Sequence, residues 1–315
     1  MNEVRVFGVL LAVLLTGAYF SWTNEDDRAD TSEVTLFDIP ATKLERVELF
    51  AKTQTVAVSF EHADDQINGW FEIVRRNKRT VFTANAEAGT MFAKFAPFTA
   101  LRSLGKTLND DELKQLGLDK PERTLAITAN RQTRTFQIGA RSHGARDHYV
   151  RADGSPEVFL VASKTLGDLE FPDSRFMQRG ILVRPLGDVD TAVLSANGVT
   201  LEATHKNRND RASSFWAGKG ETQPNQQLGS FMLKLSRLTI RSYPEDLTEV
   251  NKATPILQVD WRDEGGKSLG TTALFRLGEG PKARYFAKSD RTRRPGELAK
   301  KPAAQLEQDM QSILQ

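Results

Sequence analysis

Apolar and polar residues alternate with a period of two over much of this chain, and that spacing predicts strands with one buried face. Val47 and Leu49, then Val56, Val58 and Phe60, predict two strands, and Gly69-Trp70-Phe71 with Ile73 predicts a third. Farther on, Leu125 and Ile127 alternate with Thr124 and Thr128, and Phe136 and Ile138 alternate with Thr135 and Gln137. Asn130-Arg131-Gln132 suits the first turn of this meander, and Asp153-Gly154-Ser155 suits the last, before the wholly apolar return strand Val158 to Val161. Two stretches change period. Phe92, Phe95, Phe98, Leu101, Leu104 and Leu108 trace one face of an amphipathic helix, interrupted by Pro97. A shorter helix is expected after Asn109, with Glu112 placed for a capping box, Gly117 placed to end it in the left-handed conformation and Pro121 to stop it resuming.

The second half restates this plan. Val193-Leu194, Val199 and Leu201 predict two strands, and Phe215-Trp216 stands where Trp70-Phe71 stood. Phe231, Leu235 and Leu238 predict a helix, Leu257, Val259 and Trp261 a strand, and Phe275, Leu277 and Gly278 restate Phe136, Ile138 and Gly139. Tyr285 restates Tyr149. A closing helix over Pro302 to Leu314 places Leu306, Met310, Ile313 and Leu314 on one face. The near-constant spacing of these landmarks points to a tandem duplication, with Leu101 pairing Leu235, Ile138 pairing Leu277 and Tyr149 pairing Tyr285.

Val4 to Trp22 is the one long apolar run, and its clean core, Val6 to Phe20, would span roughly 22 Å as helix. Arg5 precedes it and Glu25, Asp26 and Asp27 follow, which puts the amino terminus in the cytoplasm and the bulk of the chain outside. An uncleaved signal anchor fits this pattern; a cleavable signal peptide cut after Thr16-Gly17-Ala18 is the other reading. The expected fold class is α+β: an N-terminal transmembrane helix, then two related units of antiparallel β-sheet, each packed with helices. The expected boundaries are a signal anchor at 1–23, a polar tether at 24–38, a first unit at 39–183, a linker at 184–188 and a second unit at 189–315.

Composition narrows the chemistry. The chain of 315 residues has no cysteine, which removes disulfides, thiolate metal sites, a cysteine nucleophile and a lipid-bearing cysteine. His143, His148 and Asp147 share a loop, but their spacing fits no zinc motif, so no metal, cofactor or catalytic residue is expected. Gly218-Lys219-Gly220 and Gly278-Glu279-Gly280 lack phosphate-loop spacing and read as turns. Asp110-Asp111-Glu112 is explained by capping and the helix dipole. What remains is basic clusters: Arg75, Arg76, Lys78 and Arg79 after the Trp70 strand, Arg141 and Arg146 beside His143, and Lys282, Arg284, Arg291, Arg293 and Arg294 around the last hairpin. These form a candidate rim for an anionic ligand or a partner. Export makes nucleic acid an unsuitable partner.

The helix ending Leu116-Gly117-Leu118, Pro121, the strand ending Phe136-Gln137-Ile138-Gly139, and Tyr149-Val150-Arg151 before Val158-Phe159-Leu160-Val161 resemble a bacterial family, domain-of-unknown-function family 4340. The resemblance runs over roughly Ile39 to Leu182 and more loosely beyond. It implies an extracytoplasmic, inner-membrane-tethered protein encoded beside subunits of gliding-type ABC transporters, and it brings no catalytic residues. The expected function is therefore a membrane-anchored, non-catalytic accessory or adaptor protein of an ABC-type transport or gliding-motility-like envelope system. A module binding envelope glycan or anionic lipid is the alternative.

Overall fold

The computed structural model describes residues 33–63, 66–106, 108–144 and 146–314. In chain order it contains β1 (Val34–Phe37), β2 (Leu44–Ala51), β3 (Gln54–Ala63), β4 (Gln66–Arg75), β5 (Lys78–Thr83), α1 (Ala88–Phe92), β6 (Phe98–Ala100), β7 (Arg102–Gly105) and α2 (Asp110–Gln115). There follow β8 (Arg123–Ala129), β9 (Gln132–Arg141), β10 (His148–Ala152), β11 (Val158–Val161), α3 (Ser163–Gly167) and α4 (Pro172–Arg175). The second half holds β12 (Thr191–Ala196), β13 (Val199–Lys206), β14 (Phe215–Gly218), α5 (Gln226–Ser236), β15 (Ile240–Ser242), β16 (Thr254–Arg262), β17 (Ser268–Leu277), β18 (Arg284–Ser289), β19 (Gly296–Leu298) and α6 (Lys300–Ile313).

Two expectations are corrected here. The α+β class gives way to a mostly β-sheet fold, 44% strand against 21% helix among the described residues. Two of the strands lie where a helix was expected. The stripe from Phe92 to Leu108 is split among the end of α1 and strands β6 and β7, because Pro97 removes a helical donor midway. Its phenylalanines are still core: Phe92, Phe95 and Phe98 are all buried. The second correction concerns the membrane span, and with it the signal anchor and the single-pass membrane partner. Among the described residues no helix is long and apolar enough to cross a membrane. Residues 1–23, which carried that expectation, lie outside the described residues, as does most of the tether; its last residues belong to β1.

The chain forms two compact units, and each is interleaved in sequence. The first comprises the residues up to Leu44 together with Ala93–Gly167. In it, β1 pairs with β6, and a second set of strands runs in the order β8-β9-β10-β11-β7, every pair antiparallel. The β8–β9 turn is a two-residue one with Asn130 and Arg131 both at positive φ, the geometry that matches the twist of a hairpin. The capping box on α2 is present. The Asn109 side chain accepts from the Glu112 N–H at 2.9 Å, and Glu112 Oε2 accepts from the Asn109 N–H at 2.8 Å. Gly117 then turns the chain at φ +68°. The Leu116 carbonyl accepts from the Ala140 N–H at 2.7 Å, and a Cβ on Gly139 would lie 2.2 Å from that oxygen. Gly139 is thus what lets the α2 terminus sit on β9.

The second unit comprises Glu45–Phe92 and Asp168–Gln315. Strands β2 to β5 form successive antiparallel hairpins, and the other sheet runs β14-β13-β12-β16-β17-β18-β19-β15. On β4 the period-two alternation sends Phe71 and Ile73 into the core and Trp70 to the other face. Phe71 is stacked on Phe82 (4.8 Å) and Phe176 (6.1 Å). Helix α6 buries Ala303, Leu306 and Met310. Glu307 on α6 accepts from the Tyr285 hydroxyl at 2.8 Å and pairs with Arg276 at 3.0 Å. The segment read as a linker, 184–188, lies within this unit, where His205 Nδ1–H donates to the Leu186 carbonyl at 3.1 Å.

Candidate functional site

In the second unit, a cleft opens between β4 and the turn joining β18 to β19. One lobe, of about 370 Å³, is lined by Asn68, Gly69, Asn85, Gln178, Asp290 and Arg291, among others. An adjoining lobe of about 200 Å³ is lined by Glu61, Trp70, Thr83, Arg293 and Arg294, and the two share Asn68, Gly69 and Arg293.

The turn that carries the arginines is locked by small buried hydroxyls. The Thr292 hydroxyl accepts from the Ser289 N–H at 2.8 Å, and the Ser289 hydroxyl accepts from the Thr292 N–H at 3.2 Å. The Thr83 hydroxyl, from β5, donates to the Thr292 carbonyl at 2.7 Å. With Thr292 and Ser289 buried, Arg293 is held in the left-handed region at φ +59°, a conformation a non-glycine residue adopts at a cost. The result is that Arg293 and Arg294 reach different partners. Arg293 Nη1 pairs with Glu61 Oε2 at 2.8 Å. The Arg294 guanidinium lies 4.3 Å above the centre of the Trp70 ring, and the Tyr243 ring meets Trp70 edge-on at 6.4 Å. Tyr243 is fixed in turn by donating to the Gln178 carbonyl at 2.7 Å.

The electrostatics divide the arginines into two kinds. Arg79 is bound on both sides, to Glu72 at 2.9 Å and Glu245 at 3.0 Å, and its hydrogen bond holds the Glu72 carboxyl below the usual range. Arg294 makes no ion pair and no side-chain hydrogen bond among the described residues. Burial, and then the like charge of Arg79, push its pKa down from the ordinary guanidinium value. A half-buried guanidinium with only a ring face for company is under-compensated, because a buried charge is ordinarily paired.

The eleven basic residues singled out from the sequence do not form one rim. Arg291, Arg293 and Arg294 line the cleft, and Arg79 is near enough for its charge to act on Arg294. Arg75 is taken up by Gln54 and Asp173 and lies over the Phe171 ring. Arg76 is exposed on the β4–β5 turn and Lys78 at the start of β5. Arg284 is ion-paired with Glu297 and Glu249, and Lys282 is exposed on the preceding turn. Arg141 and Arg146 belong to the other unit, Arg141 at the end of β9 and Arg146 on the β9–β10 loop. In that loop the Asp147 carboxylate accepts from the Ser163 N–H at 2.9 Å, and His148, which begins β10, is buried. Among the described residues no group of three or more His, Asp or Glu side chains is placed to hold a metal ion.

Sequence reading missed Trp70, Asn68, Glu61 and Thr83 as parts of a site, and missed β5 as a strand. One signal was available: in Trp70-Phe71 the two aromatic residues are adjacent, so on a strand they face opposite ways, and one of them needs a second surface.

Comparison with known families matches residues 98–257, just over half of the chain, to the family described as "Domain of unknown function (DUF4340)". The match begins at β6 and runs into the second unit, well beyond the segment whose motifs suggested the family. No curated protein and no solved structure matches the chain.

Proposed function

We propose that this chain, which belongs to the domain-of-unknown-function family DUF4340, is a non-catalytic accessory protein that works outside the cytoplasm in an ABC-type envelope transport or gliding-motility-like system, and that it works by binding. The family resemblance supports the transport setting. The observation that supports a binding role is the cleft of the second unit, where Arg294 is held over Trp70 with no carboxylate partner among the described residues. What that cleft offers is a set of fixed donors, and fixed donors serve recognition. The same observation favours a second reading, a module for an anionic ligand of the envelope.

The test is affinity purification of the full chain from detergent-solubilised cells, with the recovered proteins identified by mass spectrometry. Recovery of the ATPase and permease of an ABC-type system supports the accessory role. If those subunits pass into the unbound fraction while the chain is retained, the accessory role is overturned.

A further inference from the structure

We propose that the cleft between β4 and the β18–β19 turn binds a phosphoryl group, with Arg294 and Arg291 taking its oxygens and Trp70 holding Arg294 in position. The inference deepens the anionic-ligand reading and rests on it. Four residues with donor groups and no protein acceptor for them among the described residues line the two adjoining lobes: Arg291 the larger, Arg294 and Trp70 the smaller, and Asn68 both. Asn68 and Trp70 are two apart on β4 and so share a face, while both arginines come from the opposing turn.

The carboxylates nearby are already engaged. Glu61 holds Arg293, Glu72 and Glu245 share Arg79, and Asp290 accepts from the Thr271 N–H at 2.8 Å. The like charge of Arg79 also reaches Arg294. Two features select the class of anion. A guanidinium already covers one face of the Trp70 ring, so that face is closed to the stacking a neutral sugar would use. Four donors from two elements exceed what a planar carboxylate takes from one arginine fork, and they suit the several oxygens of a phosphoryl group. The Glu61–Arg293 pair stands at the same lobe and keeps a third arginine from the ligand.

Titration calorimetry on the full chain tests this, with inorganic phosphate, glycerol 3-phosphate and phosphatidylglycerol vesicles as probes and acetate as the carboxylate comparison. Saturable binding of at least one phosphoryl probe is expected. Glycerol 3-phosphate binding alone identifies a soluble source, and vesicle binding alone a lipid headgroup. Arg294→Ala should weaken it roughly tenfold or more, the equivalent of one charge-assisted hydrogen bond. Glu61→Gln should tighten it a few-fold by releasing Arg293, an outcome that misfolding cannot imitate. Arg208→Ala, which alters an arginine paired with Asp190 and Glu264 away from the cleft, should leave it unchanged. The proposal is overturned if no phosphoryl probe binds, if acetate binds as tightly, or if Arg294→Ala or Glu61→Gln leaves binding as it was. A chain that recovers transporter subunits but ignores every phosphoryl probe loses this inference and keeps the accessory role.

Discussion

Truncating Phe71 to alanine tests whether the strand that carries Trp70 is anchored as the geometry indicates. Phe71 is fully buried, and it lies against the rings of Phe82 at 4.8 Å, Phe176 at 6.1 Å and Phe92 at 6.3 Å. Removal of a buried phenylalanine ring costs about 3–5 kcal/mol through lost transfer energy and the cavity left behind. Aromatic pairs add about 0.5–1.5 kcal/mol beyond area, and with three ring neighbours the upper half of that range applies, so about 4 kcal/mol is expected. Against a typical total of roughly 5–15 kcal/mol this is a large fraction. Phe171, 64% exposed, supplies the comparison: Phe171→Ala should cost under about 1 kcal/mol. The assay is urea unfolding followed by tryptophan fluorescence. Trp70, Trp216 and Trp261 all lie in the second unit, so the signal from these three follows the unit that was perturbed. The midpoint should fall with little change in slope. A loss below about 1.5 kcal/mol for Phe71→Ala, or equal losses for the two variants, would refute the reasoning.

Three further outcomes are expected. Asn109→Ala should destabilise the first unit by about 1 kcal/mol, because both halves of its capping box are made; no change in circular-dichroism unfolding would count against the box. Burial, followed by the hydrogen bond to Glu307, pushes the Tyr285 phenol up from 10.0 to about 12. Its contribution is therefore full below pH 10 and is lost as the pH rises toward 12, so unfolding between pH 9 and 11 should weaken wild type more than Tyr285→Phe; equal losses would remove the linkage. The chain has no cysteine, so Lys267→Cys on the exposed β16–β17 turn gives a single label site. If the bulk of the chain is extracytoplasmic, a membrane-impermeant maleimide should label it in cells whose outer layer alone is permeabilised, and labelling only after full lysis would place it in the cytoplasm.

The strands were legible where alternation was clean. Val56, Val58 and Phe60 on β3 and Phe136 and Ile138 on β9 are buried as the period-two pattern requires. The caps and turns at Asn109, Gly117 and Asn130-Arg131 were legible too, since each depends on a few residues and local backbone geometry. The stripe from Phe92 to Leu108 misled because three-residue spacing records only which side chains are buried, and two short strands bury the same phenylalanines. Strand β5 was hidden by charge: Lys78 and Arg79 begin it, and only Val81 and Phe82 mark it as buried. The cleft was half legible. Arg293 and Arg294 were visible as charge, but the contacts with Glu61 and Trp70 join residues more than half the chain apart, and no local pattern reports them.

Strand order bears on the proposed tandem duplication. The run β8-β9-β10-β11-β7 in the first unit has the same connectivity as β16-β17-β18-β19-β15 in the second, and β4-β3-β2 has the same connectivity as β14-β13-β12. The residue pairing, however, differs from the one the sequence suggested. Along β9 only Phe136 and Ile138 are buried, and along β17 only Thr272 and Leu274, so Ile138 matches Leu274 and not Leu277; Val150 sits opposite the first and Ala287 opposite the second. By the same register Tyr149 corresponds to Phe286, and Tyr285 corresponds to the buried His148. Phe136 then falls on Thr272, whose hydroxyl accepts from the Trp261 indole N–H at 2.9 Å and donates to the Ile181 carbonyl at 3.1 Å, which is how a polar residue stands at a core position. Leu101 lies between β6 and β7 while Leu235 is on α5, so that pairing fails altogether. The difference that bears on the proposed site is β5. Strand β14 is the last in its sheet, whereas β4 has β5 beyond it. That added strand brings Thr83, which clamps the arginine turn, and Arg79, whose charge reaches Arg294. If the halves are copies, the cleft stands where one copy carries an additional strand, and among the described residues β14 has no strand in the place of β5.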